Sequence, residues 1–109
     1  MGESTGRGAL TEAVYYILLS LYEPRHGYAI MQHIDRLSHG RVVLGAGTLY
    51  GALNTLADRG WIVAVDTSEG SRRKQYVITK AGKSIVVGEL VRLEELVSAG
   101  MQIIEGSAS

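Results

Sequence analysis

The chain has 109 residues, 46% of them apolar, with one proline, no cysteine and no net charge. This is one domain with a modest core, of a size that often leans on a partner subunit. The missing cysteines exclude disulfides and thiolate metal sites and fit a reducing, cytoplasmic setting, and no run is long and apolar enough to span a membrane.

Residues 1–8 are polar and glycine-rich, with no apolar stretch of the kind a signal peptide carries, and read as a flexible tail. A first helix is expected over about residues 10–22. Thr11 is a plausible N-cap, and Glu12 in the first turn suits the helix dipole. Val14, Ile17, Leu18 and Leu21 make one apolar face, while Tyr15, Tyr16, Leu19 and Tyr22 put large apolar surface on much of the rest. A helix apolar nearly all round is buried on more than one side, and in a domain this small the second side is expected to belong to another chain.

Pro24 stops that helix and R-H-G turns the chain. A second helix is expected over roughly residues 28–38, with Ile30, Ile34 and Leu37 as its core stripe and Met31 beside it. Gly40 ends it, and residues 41–44 suit a short extended segment. A third helix begins at an N-cap glycine, Gly45, and closes at Gly60, a natural position for a residue of positive φ. Leu49, Leu53 and Leu56 fall at i, i+4, i+7, the spacing of a buried stripe, which Ala52 and Ala57 widen. Opposite lie Gly51, Asn54, Thr55 and Asp58, with Thr48 and Tyr50 at the N-terminal edge. Short hydrogen-bonding groups with little bulk suit a helix that enters a DNA major groove.

Residues 61–67 and 73–79 then read as two strands, joined by the turn chemistry of S-E-G-S-R. Thr79 can cap a final helix over about residues 81–104. Its Ile85, Val86, Leu90, Leu93, Leu96, Val97, Met101 and Ile104 keep 3-and-4 spacing, with Glu89, Arg92, Glu94 and Glu95 mostly opposite. So long a stripe exceeds what a three-helix core can cover, which points to a dimerisation helix. The fold class is mainly α (α+β), a winged helix-turn-helix in the order α-α-α-β-β-α. The expected organisation is a tail over 1–8, a winged-helix domain over 9–80, a dimerisation helix over 81–105 and a tail over 106–109.

The charge is unevenly spread along this plan. Residues 24–83 hold nine bases (Arg25, Arg36, Arg41, Arg59, Arg72, Arg73, Lys74, Lys80, Lys83) and four acids (Asp35, Asp58, Asp66, Glu69), a surplus of five positive charges. The flanking segments are acidic. A basic middle with acidic ends suits a domain with one face on phosphate and another turned away from it.

Three segments, taken in order, resemble the PadR family of bacterial transcription regulators. They are L-x-x-L-Y-E-P-R-H-G-Y-A-I at residues 18–30, G-T-L-Y-G-A-L at 47–53, and R-R-K-Q-Y-V-I-T-K-A-G at 72–82. The length is similar to the short branch, which has a single C-terminal helix. The resemblance implies a winged-helix homodimer that binds a double-stranded DNA operator, usually as a repressor, and often releases it on binding a small aromatic or amphipathic compound. It implies DNA contact by Thr48, Tyr50 and the exposed positions of the third helix, with Arg72, Arg73 and Lys74 as the wing. Two positions depart from the pattern: many members have proline at Gly51, and many carry Lys or Arg at Asn54 and Thr55.

The residues themselves support part of this. Asn54 can take adenine through N6 and N7, while Thr48 and Tyr50 suit phosphate. Gly51 permits close approach to the DNA backbone, or is simply tolerated. Tyr50 has packing on the second helix as its alternative, and Asn54 plain solvation. Tyr15, Tyr16 and Tyr22, completed by Leu93, Val97 and Met101, form either a cavity for an effector or ordinary dimer packing. His26, His33 and His39 lack metal-ligand spacing, His26 being expected to bond locally in its turn. No constellation of catalytic groups is visible, so neither enzyme activity nor a cofactor is expected. A ligand-binding or interaction module that does not bind DNA is the other reading, motivated by the zero net charge and the missing bases at Asn54 and Thr55.

Overall fold

The computed structural model describes residues 8–65 and 74–108. Helix α1 spans Glu12–Ser20, strand β1 Arg25–His26, helix α2 Gly27–Leu37, helix α3 Ala46–Asp58, strand β2 Ile62–Val65, strand β3 Gln75–Ile78 and helix α4 Lys80–Ala108. This is the expected winged-helix order with one addition. Arg25 and His26, expected as turn, pair antiparallel with Tyr76 and Gln75, which makes a three-stranded sheet in the order β1-β3-β2. The short pairing is set by the end of α1, where the Ile78 N–H donates to the Leu21 carbonyl at 2.8 Å and draws β3 alongside.

The caps follow the local chemistry. The Thr11 side chain accepts from Val14 N at 3.1 Å. The His26 ring is the N-cap of α2, Nδ1 accepting from Ala29 N. Helix α3 closes in a Schellman motif. Gly60 has φ +79°, its N–H donates to Ala57 O, and Trp61 N–H donates to Leu56 O, both at 3.0 Å.

The core joins Ile17, Leu18 and Leu21 of α1 and its C-cap, Ile30 and Ile34 of α2, the three α3 leucines, Ile62, Tyr76 and Ile78 of the sheet, and Ile85 and Val86 of α4. Two expected stripe residues stay outside it. Leu37 is exposed, because α2 ends there and the buried Ser38 turns the chain. The Ser38 hydroxyl accepts from Val42 N at 3.0 Å, so residues 41–44 form no strand, and Val42 and Leu44 pack on the core instead. Ala57 is also exposed, at the edge of the leucine stripe near the C-terminal end of α3.

Thr79 and Gly82 form the joint between sheet and α4. Thr79 N–H donates to Trp61 O at 2.9 Å, its hydroxyl donates to Gly60 O at 2.7 Å, and that hydroxyl oxygen accepts from Gly82 N at 3.1 Å. A methyl group on Gly82 would collide with the Trp61 backbone carbonyl. The T-x-x-G spacing is therefore a cap followed by a close backbone approach. Gly82→Ala is expected to cost about 1–3 kcal/mol, because the obstacle is backbone and cannot swing aside. Gly88→Ala, with open space around it, is expected to stabilise by up to about 1 kcal/mol. Denaturant midpoints for the two variants check this, and equal midpoints would refute the close-approach account.

A polar contact ties α1 to α2. Ser20 is buried, and its hydroxyl donates to the Tyr16 carbonyl at 2.9 Å. That leaves its lone pairs for His33, whose Nδ1 lies 3.0 Å away, which places the ring proton on Nδ1. Burial first, then the charges of Arg25 and Arg36, hold the His33 pKa below its ordinary 6.5, with Glu23 opposing. As pH falls the unfolded chain therefore takes up this proton before the folded chain does. The His33 contribution to stability is complete above 6.5 and is lost progressively below it. Between about pH 7 and pH 5 the wild-type melting temperature is expected to fall more than that of His33→Asn. Equal falls would show that His33 is not the coupled group.

Candidate nucleic-acid interface

Helix α3 is held by one side only. Leu49, Leu53 and Leu56 are 0–2% exposed, packed toward α2 and β2. Thr48, Tyr50, Gly51, Asn54 and Thr55 all lie on the solvent side, as expected. Gly51 has open space where a side chain would stand. Thr55 donates its hydroxyl back to the Gly51 carbonyl at 3.2 Å, so its outward oxygen is free only to accept. Gly45 caps α3 with no side-chain bond. The first-turn N–H groups, over Ala46, Gly47 and Thr48, therefore stand at an exposed, sterically open helix N-terminus, a geometry that favours an anion.

Tyr50 carries more structure than its sequence neighbourhood shows. It is half-exposed, and its hydroxyl lies where a Cβ on Gly27 would be. The glycine of the H-G-Y turn is thus the seat for the tyrosine of G-T-L-Y. The two motifs make one contact between α2 and α3, a link that their separate spacings do not reveal but their joint occurrence signals. Tyr50 thus packs on α2 through the hydroxyl end of its ring, the alternative reading of this residue, while part of its surface stays exposed. Gly27→Ala is expected to change the melting temperature little, because Tyr50 can swing into solvent. It is expected to reduce any affinity that depends on the Tyr50 hydroxyl as much as Tyr50→Phe does. Loss of folding in Gly27→Ala would contradict this.

At the far end of α3 the Arg59 guanidinium lies 5.1 Å from the Trp61 ring centroid. Trp61 is half-buried against the core, just before β2. Strands β2 and β3 pair Ile62 with Ile78 and Val65 with Gln75 and so carry the hairpin outward. Lys74 is exposed just before β3, at the outer end of the paired strands. Arg72 and Arg73 lie outside the described residues.

Of the residues expected around a cavity, the fold brings three together. Tyr15 and Tyr16, with ring centroids 6.4 Å apart at 62°, share a groove of about 310 Å³ with Leu93. The groove also includes Glu12, Glu89 and Arg92. Tyr22 is elsewhere, its ring centroid 5.3 Å from Lys83 Nζ, and Val97 and Met101 stand exposed further along α4. Sequence reasoning missed the polar floor of this groove. Glu89 is buried and takes two hydrogen bonds from Arg92, at 2.9 and 2.6 Å. Those bonds, helped by a backbone bond from Leu10, hold its carboxyl below the usual range against the opposing effect of burial. Burial first, then Glu89, raises the Tyr15 phenol. Among the described residues no group of three acids and histidines is placed to hold a metal ion, and no helix is long and apolar enough to cross a membrane.

The chain matches the family model described as the transcriptional regulator PadR-like family over residues 16–86. It belongs to the PadR-like family. A Lysinibacillus sphaericus protein named Uncharacterized protein X is 31% identical over 104 residues, 91% of this chain and 94% of the relative. Among solved structures, a PadR family transcriptional regulator from Eggerthella lenta aligns with a TM-score of 0.70 at 26% identity, over 85% of this chain and 81% of that one. Bacillus subtilis PadR, solved in complex with operator DNA, aligns with a TM-score of 0.65 at 25% identity, over 74% of this chain and 48% of that one. The PadR-like family assignment makes the chain a transcriptional regulator, and the winged-helix layout of α1–α3 and the β2–β3 hairpin is the family fold.

Proposed function

We propose that this PadR-like chain is a cytoplasmic, homodimeric repressor that binds operator DNA through paired α3 helices and releases it on binding a small aromatic or amphipathic compound. The reading rests first on one observation: α3 spends its leucines on the core and turns residues 48–55 to solvent. Thr48, Tyr50 and the open first turn of α3 suit phosphate, and the exposed Asn54 suits a base edge. Arg72, Arg73 and Lys74 would follow the flanking backbone. The Bacillus subtilis relative, crystallised on operator DNA, supports the same assignment.

The twofold mate is argued from α4. Leu90, Val97 and Ile104 fall seven apart, with Leu93 and Gly100 between them, which is heptad spacing. Leu90, Val97 and Ile104 are all strongly exposed in the single chain, and Gly100 has nothing within 4 Å of its missing side chain. A second copy of α4 along that seam would bury this apolar surface. It would also close the Tyr15–Tyr16–Leu93 groove on its open side, bringing Val97 and Met101 toward an effector.

A mobility-shift titration against the chain's own promoter region tests the DNA step. A salt-sensitive shift at or below micromolar protein is expected. Arg72→Ala with Arg73→Ala is expected to lower the salt slope by about two, roughly 0.9 for each phosphate that is no longer neutralised. Asn54→Ala is expected to cost roughly 1–3 kcal/mol and to relax preference at one base pair. Val97→Glu is expected to sediment as a monomer and to lose the shift. Absence of any shift would leave the fold as an interaction module.

A further inference from the structure

Arg41 lies between α2 and α3, an exposed base in the basic part of the chain, and would ordinarily be counted among phosphate ligands. Its partner here is Glu12 in the first turn of α1, bonded through Nη2 to the carboxylate. After Glu12, Tyr16 adds a smaller favourable effect on the guanidinium. Glu12 and Tyr16 both line the α1–α4 groove. The segment that Arg41 anchors is short and otherwise simply held. Arg41 N–H and Val42 N–H return to Ser38, and a few residues later Gly45 opens α3. Glu12 is thus the one acid of α1 joined across the fold to the entry of the reading helix among the described residues.

We propose that Arg41 is a positioning residue, which through Glu12 ties α1 to the entry of α3 and sets the pose of the reading face without touching DNA. This rests on the DNA-binding reading above. The pair is solvent-exposed, with side chains 60% and 51% accessible, so its effect on global stability is small. Its effect is local, on a loop whose other ties are Ser38 and the packing of Val42 and Leu44 on the core, none of which reaches α1 by a polar bond. Any compound that enters the groove and contacts Glu12 or Tyr16 acts on the same tie, which gives the groove a physical route to α3.

The two roles open to Arg41 predict opposite signs at Glu12. For a phosphate ligand, Glu12 competes for the guanidinium, and its removal strengthens DNA binding. For a tie, its removal weakens binding. Dissociation constants for an operator fragment across a salt series, for wild type, Glu12→Gln, Arg41→Gln and the double variant, separate the two. Each single variant is expected to weaken binding about 1.5- to 5-fold, the range carried by an exposed ion pair. The double variant is expected to be no worse than either single variant, and the salt slope to stay unchanged throughout. Tighter binding by Glu12→Gln, or a slope lowered by about 0.9 in Arg41→Gln, would overturn the proposal and make Arg41 a phosphate ligand. If wild type binds no operator, the DNA reading fails separately, and amide exchange decides on the tie alone. Faster exchange over residues 40–45 in both Gln variants supports it, and unchanged exchange overturns it.

Discussion

Three leucines decide what this fold can present. Leu49, Leu53 and Leu56 are sealed into the core, and a 13-residue helix has no second apolar side left to bury. Removing their surface from water is worth roughly 1.5–3 kcal/mol each, far more than any single polar contact on the opposite face. The rotation of α3 about its axis is therefore not adjustable. Thr48, Gly51, Asn54 and Thr55 face outward because the leucines face inward.

The ends of α3 fix the remaining freedom, and each does so through a glycine. At the N-terminal end Tyr50 rests on Gly27, so the pose of α3 relative to α2 is read by an aromatic ring against bare backbone. At the C-terminal end Gly60 reverses the chain, and Thr79 bonds to both Gly60 and Trp61. Helix α4 starts from that same joint, with Gly82 pressed on the Trp61 carbonyl. Helix α3, the base of the hairpin and the α4 rod thus leave from one point. In the proposed dimer, a change in how two copies of α4 meet would pass to α3 with little slack, which is the physical content of the proposed effector control.

Much of this was legible in the sequence, for reasons of range. Thr11, Gly45 and Gly60 act within one turn of themselves, as does Thr79 in capping Gly82, and local chemistry suffices to place these contacts. The leucine stripe of α3 and the apolar run of α4 are periodic over many residues, and periodicity survives without tertiary knowledge. The errors lie where the chain folds back. Leu37 keeps the stripe spacing of α2, yet Ser38 ends the helix beneath it by bonding forward to Val42. Arg25 and His26 become a strand only because β3 arrives beside them. The candidate site divides the same way. The outward set on α3 follows from the stripe, whereas Gly27 beneath Tyr50, Arg41 on Glu12 and Glu89 on Arg92 are contacts that periodicity does not carry. Tyr15, Tyr16 and Leu93 did converge, because their helices pack, while Tyr22 left the group beyond the end of α1, beside Lys83.

The proposed operator reading requires a twofold assembly that holds two α3 faces outward at the repeat of the double helix. The chain has no cysteine of its own, so Asn54→Cys places a single spin label on each reading helix. Pulsed dipolar spectroscopy on that variant is predicted to give one distance near 34 Å, about one duplex turn, broadened only by the label tethers. No dipolar coupling, or a separation far shorter than one turn, would contradict it.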